Sequence, residues 1–175
     1  MVPMSLRILA PPTSDTSEAP SLVLQCDARK YMFNVGEGTT RVSAQHRASN
    51  MRVDHIFLTR VASETMGGVP GLLMTLADGG RGSIDIHAPP NLLYALAATR
   101  LYARRDTMAL NAHEIEVREP HVCYQDEYVQ IHSVPLVPAQ HRSLYTDIAE
   151  KGPALDVKAQ LSSPKALRGS QAKAW

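Results

Sequence analysis

Leu6 to Ala10 is the first apolar run of strand length, and the stretch after it, APPTSDTSEAP, is a loop dense in proline, serine, threonine and aspartate. SLVLQC and KYMFNV are two more such runs, and the tight polar link Asp27-Ala28-Arg29 between them predicts a hairpin. Gly36 and Gly38 break the strand pattern in GEGTTR, and Thr39 is placed to cap a helix running to about Ala48. Val53, Ile56, Phe57 and Leu58 then form a nearly unbroken apolar strand. A strand with no polar face must be covered on both sides, so it belongs in the middle of a layered structure.

Further along, Pro70 suits the first turn of a helix that carries Leu72, Leu73 and Leu76 and stops at Gly79-Gly80. SIDIHA reads as a strand, and Pro89 opens the longest helix, with Leu92, Leu93, Leu96, Ala97 and Leu101 at three-and-four spacing. HEIEVRE and EYVQIHSVPL follow as strands, the second alternating Val129, Ile131 and Val134 with polar positions. Strands that alternate with helices predict an α/β layer. From Pro138 the pattern fades. Residues 138–175 hold six basic and three acidic side chains with no clear period, so the expected organisation is one domain over 1–137 and a solvated tail or linker, open to disorder, over 138–175.

Composition narrows the class. The chain has 175 residues, 44% hydrophobic and 20% charged, enough apolar material for one sizeable core. With 18 basic and 17 acidic residues the net charge is +1, which excludes a strong overall positive field and leaves room only for a local basic face. Cys26 and Cys123 lie far apart without CxxC spacing, so buried free thiols are expected rather than a zinc knuckle or redox pair. The opening MVPMSLRILAPP is too short for a signal-peptide core or a membrane span. A soluble intracellular protein with no membrane partner is the expectation.

The segment HIFLTRVASETMGGVPGLLMTL runs from an apolar strand through a polar loop into a glycine-rich helix start. Metal sites are often built on such a connection, yet Arg60-Val61-Ala62-Ser63-Glu64-Thr65 contains no histidine. The blocks KYMFNVGEGTTR, HIFLTR and GGVPGLLMTL, in this order and spacing, resemble the N-terminal half of long-form tRNase Z (ribonuclease Z), a tRNA 3′-end processing endonuclease of the metallo-β-lactamase superfamily. The likeness runs from about Leu6 to Pro135. It implies a metallo-β-lactamase-like αββα sandwich, here incomplete, with about one sheet-and-helix half or slightly more.

In active members of that superfamily the loop reads THxHxDH and leads into a GG-x-PG segment. With Thr59 on the threonine and Gly67-Gly68 on the glycines, the first histidine falls on Arg60, the second on Ala62, the aspartate on Glu64 and the last histidine on Thr65. A dinuclear zinc site needs several imidazole nitrogens and carboxylates converging on the ions, so that a bound water is acidified and the phosphate clamped. Ala62 has no donor atom, Arg60 carries a permanent positive charge, and threonine is a poor ligand. The resemblance therefore implies a non-catalytic copy, with no catalytic residues and no metal in this chain and the zinc in an active C-terminal half, joined in cis or in trans. It implies precursor tRNA as a partner, and the nucleus or the mitochondrion as the location, with the cytoplasm also open.

Other readings of single residues stand beside this one. Arg60 and Glu64 are expected to form an ion pair, the alternative being a polar pocket that steers RNA phosphate. His55 and His132 read as strand histidines satisfied by hydrogen bonds. An unconventional metal site from His87, His113, His121 or His141 lacks HxH or HxxxH spacing. GEGTTR fits neither phosphate-loop form and reads as a turn that needs small residues. Arg100, Arg104 and Arg105, at the end of the long helix, complement its dipole and are also the candidates for contact with an RNA backbone. Two rival functions remain: a metal-dependent hydrolase using other ligands, and a protein-interaction module without RNA contact.

Overall fold

The expected hairpin forms the start of a large sheet. In a computed structural model, which describes residues 4–10, 19–27, 29–45, 52–103, 106–116, 119–136 and 154–160, β2 (Ser21–Cys26) and β3 (Arg29–Phe33) pair antiparallel, with Cys26 opposite Arg29. Asp27 turns the chain at φ 51, a left-handed conformation that aspartate tolerates better than most residues. On the outer side β1 (Met4–Ala10) pairs antiparallel with β2. On the inner side β4 (Val53–Phe57), β5 (Ser83–Ala88) and β6 (Ala109–Glu114) follow in parallel. The six strands stand in chain order, β1 to β6.

The helices α3 (Val69–Asp78) and α4 (Leu92–Ala103) cover one face of this sheet. Met32, Ile56, Leu58, Ile84 and Ile86 meet Leu72, Leu76, Leu92 and Leu96 there in the main core. Val53 to Leu58 behaves as its composition predicts: Ile56 and Leu58 face the helices, while Phe57 joins a second cluster with Tyr31, Phe33, Leu24 and Ile131 on the other face. That second face is roofed by a small antiparallel sheet of β7 (His121–Gln125), β8 (Gln130–Leu136) and β9 (Ala154–Gln160).

Several expectations need correction. The long helix begins at Leu92 rather than Pro89, because Asn91 takes φ 79 and turns the chain just before it. Leu93 lies on its outer side, 59% exposed, so the heptad-like run overstates the buried stripe. β6 starts at Ala109 and stops at Glu114, ahead of the charged run read as strand. β7 was not expected, since HVCYQ is short and mixed. Within the stretch read as tail, Ala154–Gln160 forms β9 opposite β8; the rest of 137–175 lies outside the described residues. The loop at Ser63 also contains a short helix, α2 (Ser63–Met66). The helix at Thr39 forms as α1 (Thr39–Gln45), and its continuation to Ala48 lies outside the described residues.

Candidate functional site

The parallel strands end at a common edge, and the segment corresponding to the hydrolase ligand loop is built there. Asn34, at φ 55, accepts on Oδ1 from the Thr59 N–H at 2.9 Å and the Thr59 hydroxyl at 3.0 Å, which ties the exit of β3 to that of β4. Gly36 N–H donates to the Ser21 hydroxyl at 3.2 Å, the Ser21 and Thr39 hydroxyls lie 3.1 Å apart, and the Thr39 hydroxyl donates to the Gly36 carbonyl at 2.7 Å. This closed ring of bonds holds GEGTTR as a turn. Gly38 carries φ 74 there, a conformation glycine adopts without strain.

The loop then packs down onto that turn. Val35 N–H donates to the Thr65 carbonyl at 2.7 Å, and Gly68 N–H to the Val35 carbonyl at 2.9 Å. A Cβ on Gly68 would meet the Gly36 carbonyl oxygen at 2.2 Å. This is why the second glycine of the GG-x-PG segment cannot carry a side chain. The geometry that a ligand loop requires, a rigid connection at the end of a buried strand, is therefore present.

The side chains at the ligand positions do something else. Arg60 is exposed, and Ala62 is half-buried as the residue preceding α2. Glu64 is half-buried in the first turn of α2. Among the described residues Arg60 and Glu64 form no ion pair, contrary to the expected pairing. Thr65 is 1% exposed, and its hydroxyl donates to the Arg60 carbonyl at 2.6 Å with the Ala62 carbonyl at 3.1 Å. Its polar atom is thus used to brace the loop, and the four positions offer one free carboxylate.

A second polar cluster lies between the sheets and was not visible in the spacing. His55 on β4, His87 on β5 and His113 on β6 point toward the small sheet beside Phe57. His55 Nδ1 and His87 Nε2 are 3.4 Å apart, and the His87 and His113 rings stack with centroids 4.6 Å apart. His55 Nε2 meets the Tyr124 hydroxyl at 2.9 Å, and Tyr124 donates to Asp126 at 3.1 Å. Tyr31 also donates to Asp126, as do the Tyr128 and Val129 N–H groups. Because the carboxylate can only accept, the donors run in one direction, from His87 through His55 and Tyr124 to Asp126. His113 ends the row, 2.9 Å from Asp85.

The electrostatics follow from burial. Desolvation, with His113 and His55 adding to it, pushes His87 down to about 3. His55 is lowered too, again chiefly by burial. Burial and the nearby Asp126 carboxylate raise the Tyr31 and Tyr124 hydroxyls. Burial also pushes Asp126 up, but the hydrogen bonds from Tyr31, Val129, Tyr128 and Tyr124 outweigh it and hold the carboxyl below its usual range. The row is a hydrogen-bonded network, anchored on the Asp126 carboxylate, that binds two sheets together.

Of the other histidines, His121 lies beside Ser133 on the small sheet. The His132 Nε2 is buried without a partner among the described residues, unlike the satisfied strand histidine expected. His141 is outside the described residues. Among the described residues no group of three or more His, Cys, Asp or Glu side chains is arranged to hold a metal ion. Arg100 is exposed in the last turn of α4, while Arg104 and Arg105 lie outside the described residues. Among the described residues no helix is long and apolar enough to cross a membrane. Cys26 is buried and Cys123 half-buried, both unpaired, as the sequence predicts.

A family model described as tRNase Z endonuclease matches residues 7–68, the span that contains the turn, β4 and the loop. The chain belongs to the tRNase Z family, within the metallo-β-lactamase superfamily. It is 39% identical over 146 residues to the mitochondrial tRNase Z TRZ4 of Arabidopsis thaliana, covering 73% of this chain and 15% of that protein. Among solved structures, a long form RNase Z from yeast superposes with TM-score 0.65 at 28% identity, over 77% of this chain and 17% of that one. The short form of human tRNase Z superposes with TM-score 0.68 at 19% identity, over 89% of this chain and 63% of that one, which speaks for the fold. The chain thus spans about 15% of the length of the Arabidopsis relative. Its architecture is that of the metallo-β-lactamase fold, covering part of it.

Proposed function

We propose that this tRNase Z chain is a non-catalytic, N-terminal part of a tRNA 3′-end processing endonuclease. It supports a zinc-bearing C-terminal half, in cis or in trans, and helps to place precursor tRNA. The observation that carries this reading is the loop after β4, where Arg60, Ala62, Glu64 and Thr65 occupy the ligand positions and the Thr65 hydroxyl is engaged with backbone carbonyls. A single carboxylate cannot replace the imidazoles and carboxylates of a dinuclear centre. No reaction step is assigned to this chain. Two similarities support the setting: the likeness to a long form RNase Z, and the small share of the Arabidopsis protein that the chain spans. The name of that relative places it in the mitochondrion, which is the location proposed here.

Arg60 and Arg100, both exposed, are the cations proposed to meet an RNA backbone, with Arg104 and Arg105 as further candidates. The test has two arms. After incubation with excess zinc and desalting, mass spectrometry should count close to no zinc per chain; about two tightly held ions, the content of a dinuclear site, would overturn the non-catalytic reading. Filter binding of precursor tRNA should weaken steeply between ~50 and ~200 mM salt, and less steeply for Arg100→Ala. Salt-independent or absent binding would remove the tRNA-placing role.

A further inference from the structure

The last strand of the large sheet is open to solvent beside an apolar groove. β6 pairs with β5 in an unbroken register from Ala109–Ser83 to Glu114–Ala88. Ala109 N–H donates to the Gly82 carbonyl at 2.8 Å and Ile115 N–H to the Ala88 carbonyl at 2.7 Å. Since successive strand residues direct their backbone groups to opposite sides, the odd residues of β6 face β5. The N–H and C=O groups of Leu110, Ala112 and Glu114 face away, and β6 ends the strand order. The side chains of Leu110 and Ala112 line a groove of about 530 Å³ whose other wall is α4, with Leu93, Leu96 and Ala97. Leu93 is 59% exposed and Leu110 39%, while the adjacent Tyr94 is 80% exposed.

Edges of this kind are normally blunted by lysine, proline or a bulge, because they template pairing with another strand. β6, ALNAHE, has none of these. We propose that β6 pairs antiparallel with β6 of a second copy of this chain, about a two-fold axis at Asn111.

The register follows from the side chains. Residues opposite each other in an antiparallel pair lie on the same sheet face, so the axis must pass through a residue. An axis at Asn111 sets Leu110 against Ala112 of the second copy, a large-to-small apolar contact at each groove. It also sets His113 against Ala109 and Glu114 against Met108, so no two charges of like sign meet. The next choice, an axis at Ala112, would press Leu110 against the carboxylate of Glu114, which already accepts the Leu93 N–H at 3.0 Å. An isologous contact of this kind closes on itself and does not polymerise. Its extent is modest, one six-residue strand a side with the groove beside it where a standard interface uses roughly 20–30 residues, so a weak, reversible dimer is expected.

The experiment is disulfide trapping in the full chain. An antiparallel pair on the axis that is not mutually hydrogen-bonded brings its Cα atoms to ~4.5 Å, within disulfide range. Asn111→Cys, exposed in the monomer, should therefore cross-link into a dimer under mild oxidation at least ~10-fold faster than Ala109→Cys or the unsubstituted chain. Adding Ala112→Pro should abolish that cross-link, because it removes an outward N–H that β5 does not use. Leu110→Lys is the second blocking variant, should the proline disturb folding as judged by circular dichroism. Sedimentation velocity should show a monomer–dimer equilibrium that Leu110→Lys shifts to monomer. A monomer at all concentrations, cross-linking of Asn111→Cys no faster than Ala109→Cys, or cross-linking that survives both blocking variants would each overturn the proposal.

Discussion

The Tyr124 hydroxyl sits 2.9 Å from His55 Nε2, and the bond runs from the small sheet to the large one. The two rings also touch, with centroids 4.3 Å apart. Since Tyr124 donates onward to Asp126, its hydroxyl is the hinge of the donor chain between the sheets. Tyr124→Phe keeps the ring and removes that atom, leaving a buried His55 N–H unpaired. Loss of about 1–3 kcal/mol is expected, read as a lower urea midpoint with an unchanged slope. An unchanged midpoint would show that the sheets are joined by apolar packing alone.

The same row makes the fold sensitive to acid. His87 is held down to about 3 in the folded chain against about 6.5 in an unfolded one. Between those values the unfolded state binds more protons, so stability is fully present above the unfolded value and is lost as pH falls toward the folded one. Between pH 7 and pH 5 the loss from His87 alone is about 2 kcal/mol. Asp126, held below its usual range, adds a loss of the same sign that begins only lower, as pH drops through the carboxylate range. His87→Phe should keep the stack against Phe57 and His113 and flatten the fall between pH 7 and 5, at a cost of about 1 kcal/mol at neutral pH for the His55 nitrogen it strands. Urea midpoints at the two pH values decide it; an equal fall in both proteins would refute the assignment.

Much of this architecture could be read from the chain, and the losses have physical causes. The hairpin, the doubly covered strand at Val53 and the helix at Pro70 each rest on local signals, a turn, an apolar run and a helix-start proline. The large sheet was legible for that reason. Leu93 looked buried because periodicity gives the spacing of a stripe but not its width. β7 escaped because HVCYQ is too short and mixed to show a period, although it pairs with β8 as a close hairpin, and β9 because ALDVKAQ finds its partner only across the long connection from Leu136 to Ala154. The altered ligand loop was legible through the resemblance and its register. The histidine row was not, since His55 and His87 stand 32 residues apart and meet only because β4 and β5 are neighbours.

Two glycines of the same motif should respond in opposite ways. Gly68→Ala would place its Cβ 2.2 Å from the Gly36 carbonyl oxygen, a backbone atom that cannot step aside without moving the turn. A loss on the order of 2–3 kcal/mol or a failure to fold is expected. Gly71→Ala, inside α3 with nothing within 4 Å of the added carbon, should gain up to about 1 kcal/mol through helix propensity. Thermal unfolding of the pair checks the contrast, and similar losses in both would mean that the tight approach at Gly68 is not what the glycine serves.

Thr65 tests whether the loop has been rebuilt around its present residue. In this chain the hydroxyl at the last ligand position braces the backbone at Arg60 and Ala62. Thr65→Val is nearly isosteric and deletes only that brace, leaving the Arg60 carbonyl short of its donor while the Ala62 carbonyl keeps the Thr65 and Met66 N–H groups, so a loss of about 1–2 kcal/mol is expected. Thr65→His, which restores the residue of the hydrolase pattern, should cost more than valine, because the site is 1% exposed and an imidazole must displace its neighbours. It should also leave zinc uptake near zero, since Ala62 and Arg60 still supply no ligand. Denaturant midpoints and zinc counts on both variants are the readout. If Thr65→His were tolerated and took up zinc tightly, the loop would be one substitution from a metal site, and its present residues could no longer be read as a structural replacement.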